Sequence, residues 1–97
     1  MLLILLVSMN ISPLVNRANK LYREEKYEEA YELYQEASIR HPDNNRIKFN
    51  LAACAYKLKR YREAADEFNR LSQADDTGLK QKSVYNLGNT FMEVKEF

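Results

Sequence analysis

An internal repeat constrains this chain more than any other feature of its sequence. Residues 15–44 align with residues 49–76 at a constant offset of 34, and a third copy follows at an offset of 36, after two additional residues. A period of this length is typical of architectures in which each copy is one small unit that buries its apolar face only against its neighbours. We therefore expect the chain to fold as a stack of similar units.

Residues of the same type recur at equivalent positions of the copies. The matches between the first two copies are Ala18 with Ala52, Tyr22 with Tyr56, Tyr27 with Tyr61, Ala30 with Ala64, Tyr34 with Phe68 and Ala37 with Leu71. The matches with the third copy are Asn50 with Asn86, Leu51 with Leu87, Ala52 with Gly88, Leu58 with Val94 and Tyr61 with Phe97. Apolar residues within each copy step by three and four, which is the spacing of one face of a helix. Small residues at matching positions predict that the two helices of a copy approach closely.

The repeat predicts an all-α fold built from antiparallel helix pairs. Helices are expected at about 13–25, 28–40, 45–58, 62–74 and 79–95. Short charged turns at 24–26 and 59–60 join the helices of a pair, and the stretches Asp43-Asn44 and Asp76-Thr77-Gly78 lie where a side chain can cap the next helix. The expected organisation is an apolar segment at 1–12 and an array at 13–97, which comprises a first copy at 13–44, a second at 45–80 and the first helix of a third at 81–97.

Composition excludes several classes of protein. The 97 residues suffice for one domain, and 15 basic against 14 acidic residues leave a net charge of +1, which does not point to nucleic acid. Two Gly and two Pro are too few for a β-sandwich or barrel. The single cysteine, Cys54, and the single histidine, His41, exclude an intrachain disulfide and a multi-histidine metal site. We expect no nucleic-acid partner, no metal and no cofactor.

The sequence also carries no recognisable catalytic motif. Its two glycines, Gly78 and Gly88, are ten residues apart and form no phosphate-binding loop. His41 precedes a proline at a predicted helix end and has no nucleophile within motif reach, and Cys54 lies among alanines as a core residue would. The glutamates between residues 24 and 36 spread around two helices and pair with nearby basic residues, as on a solvated surface. We predict that the protein is not an enzyme.

The repeat pattern resembles the tetratricopeptide repeat (TPR) family. The residues that carry the resemblance are Ala18, Ala30, Tyr34 and Pro42 in the first copy, Ala52, Ala64 and Phe68 in the second, and the stretch YNLGN at 85–89 in the third. The resemblance implies a right-handed superhelix of about two and a half repeats. It also implies that the inner groove of this superhelix holds a peptide or helix of a partner protein.

In that family the first helix of each pair lines the groove. By alignment, the groove face carries Asn19, Tyr22 and Arg23 from the first copy, Arg46, Phe49, Asn50, Tyr56 and Lys57 from the second, and Lys82, Tyr85, Asn86 and Asn89 from the third, together with Val15, Asn16, Ala53 and Met92. Asparagine amides both donate and accept hydrogen bonds and suit the backbone of an extended peptide. The basic residues outnumber the single acid, Glu93, which favours an acidic peptide. The alternative is a plain scaffold surface whose asparagines bridge neighbouring helices.

A carboxylate clamp like that of chaperone-binding TPR proteins is not expected. Asn19, Asn50 and Lys82 fall on three of the five clamp positions. Val15 and Asn86 replace a lysine and an arginine of that clamp, and this loss removes much of its charge-assisted bonding.

An assembly role is the alternative function. The third copy has only one helix, which would leave Leu87 and Phe91 without a partner helix. We favour the interpretation that the chain is an excerpt of a longer array. Alternatively, a second copy of the chain or its apolar start covers this face.

The apolar run at 2–7 is too short to cross a bilayer. It packs against the first helices, is the remnant of a signal or membrane anchor, or reflects the chosen start of the chain. The layout also resembles TPR proteins of bacterial aerotolerance (Bat) operons, which implies assembly with von Willebrand-type partners in the envelope rather than a cytoplasmic location.

Overall fold

The structure, a computed structural model, describes residues 12–95 and is helical throughout. The five helices are α1 (Ser12–Arg23), α2 (Tyr27–Arg40), α3 (Asn45–Lys57), α4 (Tyr61–Leu71) and α5 (Thr77–Lys95), and this part of the chain contains no strand. Each helix packs on the next, and α3 also contacts α5. The all-α helix-pair array predicted from the repeat is confirmed. The predicted segment at 1–12, apart from the backbone of Ser12, lies outside the described residues, as does Phe97.

Both turns within the helix pairs have the same hydrogen-bonding pattern. After α1, the Lys26 N–H donates to the Leu21 carbonyl at 2.9 Å and the Glu25 N–H donates to the Tyr22 carbonyl at 3.0 Å. After α3, the Arg60 N–H donates to Ala55 at 2.8 Å and Lys59 to Tyr56 at 3.0 Å. These are Schellman motifs, which satisfy the last carbonyls of each helix. They turn the chain back within three residues, so that α2 and α4 pack against the helices that precede them.

Side-chain caps set the starts of α3 and α5. The Ile47 N–H donates to Asn44 Oδ1 at 3.1 Å, and the Leu79 N–H donates to Asp76 Oδ1 at 3.1 Å. Both caps agree with the sequence prediction. Because Asp76 caps the helix, α5 begins at Thr77, and Gly78 lies in its first turn rather than in a linker. The prediction for the fourth helix was wrong at its end, since α4 stops at Leu71 rather than at residue 74.

The core repeats with the sequence. Ala18, Ala30, Ala52 and Ala64 are all fully buried or nearly so. The aromatic residues beside them, Tyr34 and Phe68, are likewise buried, with 2% and 1% of their surface exposed. Small residues let the helices of a pair approach closely, and the aromatic rings fill the remaining space. The close packing predicted from the small residues is therefore confirmed in the first two copies.

Gly88 departs from this pattern. An added Cβ there would meet no atom within 4 Å, although the equivalent Ala52 is buried. In the second copy α4 covers the face of α3 that carries Ala52, and no described helix covers the corresponding face of α5. That face therefore exposes Val84 and Phe91, each with more than half of its surface accessible. The expectation that Leu87 would have no partner was wrong in part, because Leu87 is half-buried and packs against the core.

Polar contacts on the outer surface join the first two copies. The Tyr31 hydroxyl donates to the Glu63 carboxylate at 2.8 Å, and Arg60 Nη2 lies 2.7 Å from Glu28 Oε1. The Arg60 guanidinium also lies 4.7 Å from the centroid of the Tyr31 ring. Burial, followed by the Glu63 carboxylate, raises the pKa of Tyr31, so the hydroxyl remains a donor. These contacts connect α2 to the start of α4.

Among the described residues, no helix combines the length and the apolar character that a membrane span requires.

Candidate functional site

Four adjoining depressions run along α1, α3 and α5, and together they form the surface that we call the groove. Its lining includes Asn19, Tyr22, Arg23, Arg46, Phe49, Asn50, Tyr56, Lys57, Lys82, Asn86 and Asn89. Val15, Asn16 and Ala53 line it as well, so the groove contains fourteen of the sixteen residues that the sequence placed on this face. Asn50 lines three of the depressions and lies at the centre of the groove. The structure thus brings residues from all three copies onto one continuous surface.

Two of the depressions are equivalent under the repeat. The first site has a volume of ≈ 290 Å³ and is lined by Asn19, Tyr22, Arg23, Tyr34, Phe49, Asn50 and Ala53. The second site has a volume of ≈ 180 Å³ and is lined by Tyr22, Ala53, Tyr56, Lys57, Phe68, Asn86 and Asn89. Most residues of the second site are the repeat equivalents of those in the first. The groove therefore presents two related surfaces in series, one between α1 and α3 and the other between α3 and α5.

The two sites differ at one pair of residues that is hydrogen-bonded in the first site only. In the first site, the Tyr34 hydroxyl donates a hydrogen bond to Asn19 Oδ1. Burial is the main cause that raises the pKa of Tyr34 to about 12, so this hydroxyl stays protonated. The equivalent residues of the second site are Ala53 and Phe68, so the hydroxyl and its acceptor are both replaced by apolar groups. The Asn19 amide therefore has a structural role that its place on the groove face did not reveal.

Edge-to-face aromatic pairs hold the rings of the groove in place. Tyr22 packs on Tyr27 with ring centroids 5.1 Å apart, and the equivalent pair Tyr56 and Tyr61 repeats this contact at 5.5 Å. The Tyr56 hydroxyl also donates to Glu93 Oε1 at 3.4 Å. Rings fixed in this way offer apolar contact area at a low entropic cost to a ligand.

Four basic residues line the groove. Arg23, Arg46, Lys57 and Lys82 are exposed, and none of them forms an ion pair with a described residue. The glutamates of the outer surface behave differently. Glu28, Glu36 and Glu67 pair with Arg60, Arg40 and Arg70 respectively. The groove cations are therefore available to a ligand, whereas these three glutamates are already paired.

Asp76 is a groove residue that the sequence analysis missed. It lines the same depression as Arg46 and Lys82 while its Oδ1 caps α5. Its capping role was readable from the sequence because it precedes a helix. Its place beside two cations depends on how α5 packs against α3, which no local pattern predicts.

Tyr85 and Met92 are the two predicted residues that the structure does not bring into the groove. Tyr85 shows why. It is 70% exposed and lines none of the four depressions. Its repeat equivalent, Phe49, is held against Phe68 with ring centroids 5.4 Å apart. No described helix follows α5 to supply such a contact to Tyr85. The alignment alone could not indicate this difference.

The groove carries three kinds of chemical group that can bind a peptide. It supplies amide donors and acceptors, fixed aromatic rings and unpaired cations. Among the described residues, no three side chains of His, Cys, Asp or Glu cluster as metal ligands would. Burial raises the pKa of the Cys54 thiol to about 12, which makes it a poor nucleophile at neutral pH.

A family model for the tetratricopeptide repeat matches residues 21–83, which is more than half of the chain. The chain therefore belongs to the tetratricopeptide repeat family, as the repeat pattern predicted. Proteins of this family generally mediate protein–protein interaction, and their repeats are typically non-catalytic. A search of curated proteins found no match to this chain.

Proposed function

We propose that the groove binds an extended, acidic peptide segment of a partner protein. The observation that carries this proposal is the set of four exposed cations, Arg23, Arg46, Lys57 and Lys82, which face the groove from three helices without an ion pair to any described residue. An acidic segment would pair with these charges. Complementary charge also speeds the encounter between partners and selects against basic segments.

The amides of the groove support an extended ligand. Asn50, Asn86 and Asn89 line the groove on α3 and α5, the first helices of two successive copies, and their side chains make no hydrogen bond to a described residue. An asparagine amide can donate to a peptide carbonyl and accept from a peptide N–H at the same time. Free amides on α3 and α5 therefore suit an extended peptide, because its backbone N–H and carbonyl groups form no hydrogen bonds within secondary structure of its own.

Fluorescence anisotropy with labelled peptides tests this proposal. The probes are a decapeptide rich in Asp and Glu and the same peptide with Asn and Gln in their place. We expect the acidic peptide to bind more tightly and its affinity to fall as salt is raised. Equal affinity for both peptides would contradict the proposal.

A matched pair of variants locates the binding surface. Lys82 lines the groove, whereas Lys80 is an exposed lysine of the same helix that lines none of its depressions. Lys82→Gln should weaken binding of the acidic peptide by about 5-fold, since one charge-assisted contact is lost. Lys80→Gln should leave the affinity unchanged. An equal loss in both variants would mean that net charge, and not the groove, attracts the peptide.

Self-association through α5 is the second candidate function. The observation that favours it is the exposed apolar face of this helix, on which Val84, Phe91, Met92 and Val94 are each at least 45% accessible. Exposed apolar patches of this kind often mark interaction surfaces.

Phe91→Glu should convert a self-associating chain to a monomer in sedimentation experiments. Ile39→Glu is the control, because Ile39 is an even more exposed apolar residue, at 75% against 55% for Phe91, but lies on α2. A wild-type chain that stays monomeric at all concentrations would remove this candidate.

A further inference from the structure

We infer that a cleft on the outer surface, between α2 and α4, binds a basic side chain of a partner protein. The cleft has a volume of ≈ 560 Å³ and is larger than any of the four depressions of the groove. Ligand sites in proteins typically have volumes of about 300–1,000 Å³. No residue that lines the groove lines this cleft. The inference therefore concerns a second surface and does not depend on what the groove binds.

Glu67 is a charged residue at a position where the first copy has an apolar one. Its repeat equivalent is Leu33, which packs against the core. Glu67 lines the cleft with only 18% of its side chain exposed, and its Oε2 atom is buried without a hydrogen-bond partner among the described residues. A buried oxygen without a donor destabilises the fold. Such departures from the local pattern concentrate at functional sites, so this one points to a ligand that supplies the donor.

The Glu67 carboxylate can turn its unpaired oxygen toward the cleft. Its Oε1 atom accepts a hydrogen bond from Arg70 Nη1 at 2.9 Å, and the Arg70 side chain is 67% exposed. An ion pair with such an exposed partner contributes little to stability. The terminal torsion of a glutamate is broad and roughly twofold, so a rotation that exchanges the two oxygens costs little.

The charges of the cleft favour a cation. Asp66 is exposed and forms no ion pair with a described residue. Glu63 also lines the cleft and accepts a hydrogen bond from the Tyr31 hydroxyl at 2.8 Å. The cleft contains two arginines, Arg62 and Arg70, so its three carboxylates leave one negative charge in excess. A cationic ligand compensates this charge and donates to the buried oxygen, whereas an anionic ligand does neither.

The apolar part of the cleft suits the stem of a long basic side chain. Leu51 and Ala52 supply apolar atoms to the lining from α3. Lysine and arginine pack their aliphatic stems along such surface while their charged heads pair with polar groups. Arginine offers five N–H donors in a planar fork that matches a carboxylate, and lysine offers a point charge. The occupant is therefore a basic side chain, and arginine fits better than lysine.

Titration of the full, isotope-labelled chain with N-acetyl-arginine methylamide, followed by two-dimensional NMR, tests the cleft. The amide signals of Leu51, Ala52 and Glu67 should shift and saturate. N-acetyl-citrulline methylamide has nearly the same shape without the charge, and we expect the arginine probe to bind at least about 10-fold more tightly, since a charge-assisted contact is lost. N-acetyl-lysine methylamide should shift the same signals at a lower affinity.

A matched pair of variants assigns the binding to Glu67. Glu67→Gln should weaken binding of the arginine probe by about 10-fold. Glu32→Gln removes the same charge from an exposed residue of α2 that does not line the cleft, and it should leave the affinity unchanged. Glu67→Leu installs the residue type of the first copy. It should abolish binding and raise the midpoint of thermal unfolding, because the buried unpaired oxygen is removed.

The remaining outcomes would overturn the inference. Signals of the cleft that do not respond to the arginine probe would show that no basic side chain binds there. An equal loss of affinity in Glu67→Gln and Glu32→Gln would mean that net surface charge attracts the probe. A lower unfolding midpoint in Glu67→Leu would mean that the carboxylate already stabilises the fold, which removes the reason for a ligand. The groove is tested with acidic peptides and other residues, so failure of either proposal leaves the other standing.

Discussion

Glu25 and Lys59 adopt the same left-handed backbone conformation at equivalent positions of two successive copies. Their φ angles are 62° and 64°, and each residue directly follows the last turn of the first helix of its pair. Helices commonly end in this conformation, but the residue there is usually glycine, because a Cβ costs about 1–2 kcal/mol in the left-handed region. Both copies therefore keep the same turn between the two helices of a pair, although the backbone of its left-handed residue is strained.

Replacement of either residue by glycine should stabilise the chain. We expect Glu25→Gly and Lys59→Gly each to raise the free energy of unfolding by about 0.5–1 kcal/mol, since the relief of strain exceeds the added entropy of the unfolded chain. Urea denaturation monitored by circular dichroism measures this change. Glu24→Gly is the matched control. Its position lacks a positive φ, so it should give no gain. A loss of stability in both turn variants would contradict the role assigned to the backbone conformation.

The Asn19–Tyr34 pair should behave as one energetic unit. Tyr34→Phe leaves the Asn19 carbonyl oxygen without its donor and should cost about 1 kcal/mol of stability. In Asn19→Ala/Tyr34→Phe both partners are removed, as in the natural pair Ala53 and Phe68, and the cost should be less than the sum of the single changes by about 0.5–1.5 kcal/mol. A double-mutant cycle in urea measures this coupling. Strict additivity would mean that the hydrogen bond contributes nothing to stability.

The repeat pattern made much of the fold predictable, for a physical reason. Buried positions such as Ala30 and Ala64 admit few residue types, so their recurrence marks the core without knowledge of the structure. The cap at Asn44 was readable because it depends on the next three residues only. The left-handed conformation of Glu25 could not be predicted, because the sequence has no glycine at this position. The exposure of Tyr85 and the place of Asp76 depend on contacts between distant helices, and no local pattern encodes them.

Cys54 should make the stability of the chain sensitive to alkaline pH. Burial raises the pKa of its thiol from 9.0 to about 12, so the thiol of the folded chain keeps its proton where that of the unfolded chain ionises. The stabilisation is complete below pH 9 and is lost as pH rises toward 12. Cys54→Ala should therefore show a smaller loss of stability between pH 8 and pH 11 than the wild type. Parallel pH profiles from urea denaturation would show that the thiol does not contribute.

Gly88 offers a way to tell a free α5 face from a covered one. On a free face, Gly88→Ala should raise the free energy of unfolding by about 0.5–1 kcal/mol, because alanine favours a helix interior and a Cβ there meets no atom within 4 Å. Gly78→Ala is the control in the first turn of the same helix, where the new Cβ would lie 3.5 Å from Asp76 Oδ1, and a smaller gain is expected. If a second copy packs closely on α5, the added methyl group would instead obstruct it. Gly88→Ala would then lower the stability measured at high protein concentration and shift the sedimentation profile toward monomer, an outcome that would favour assembly through this face.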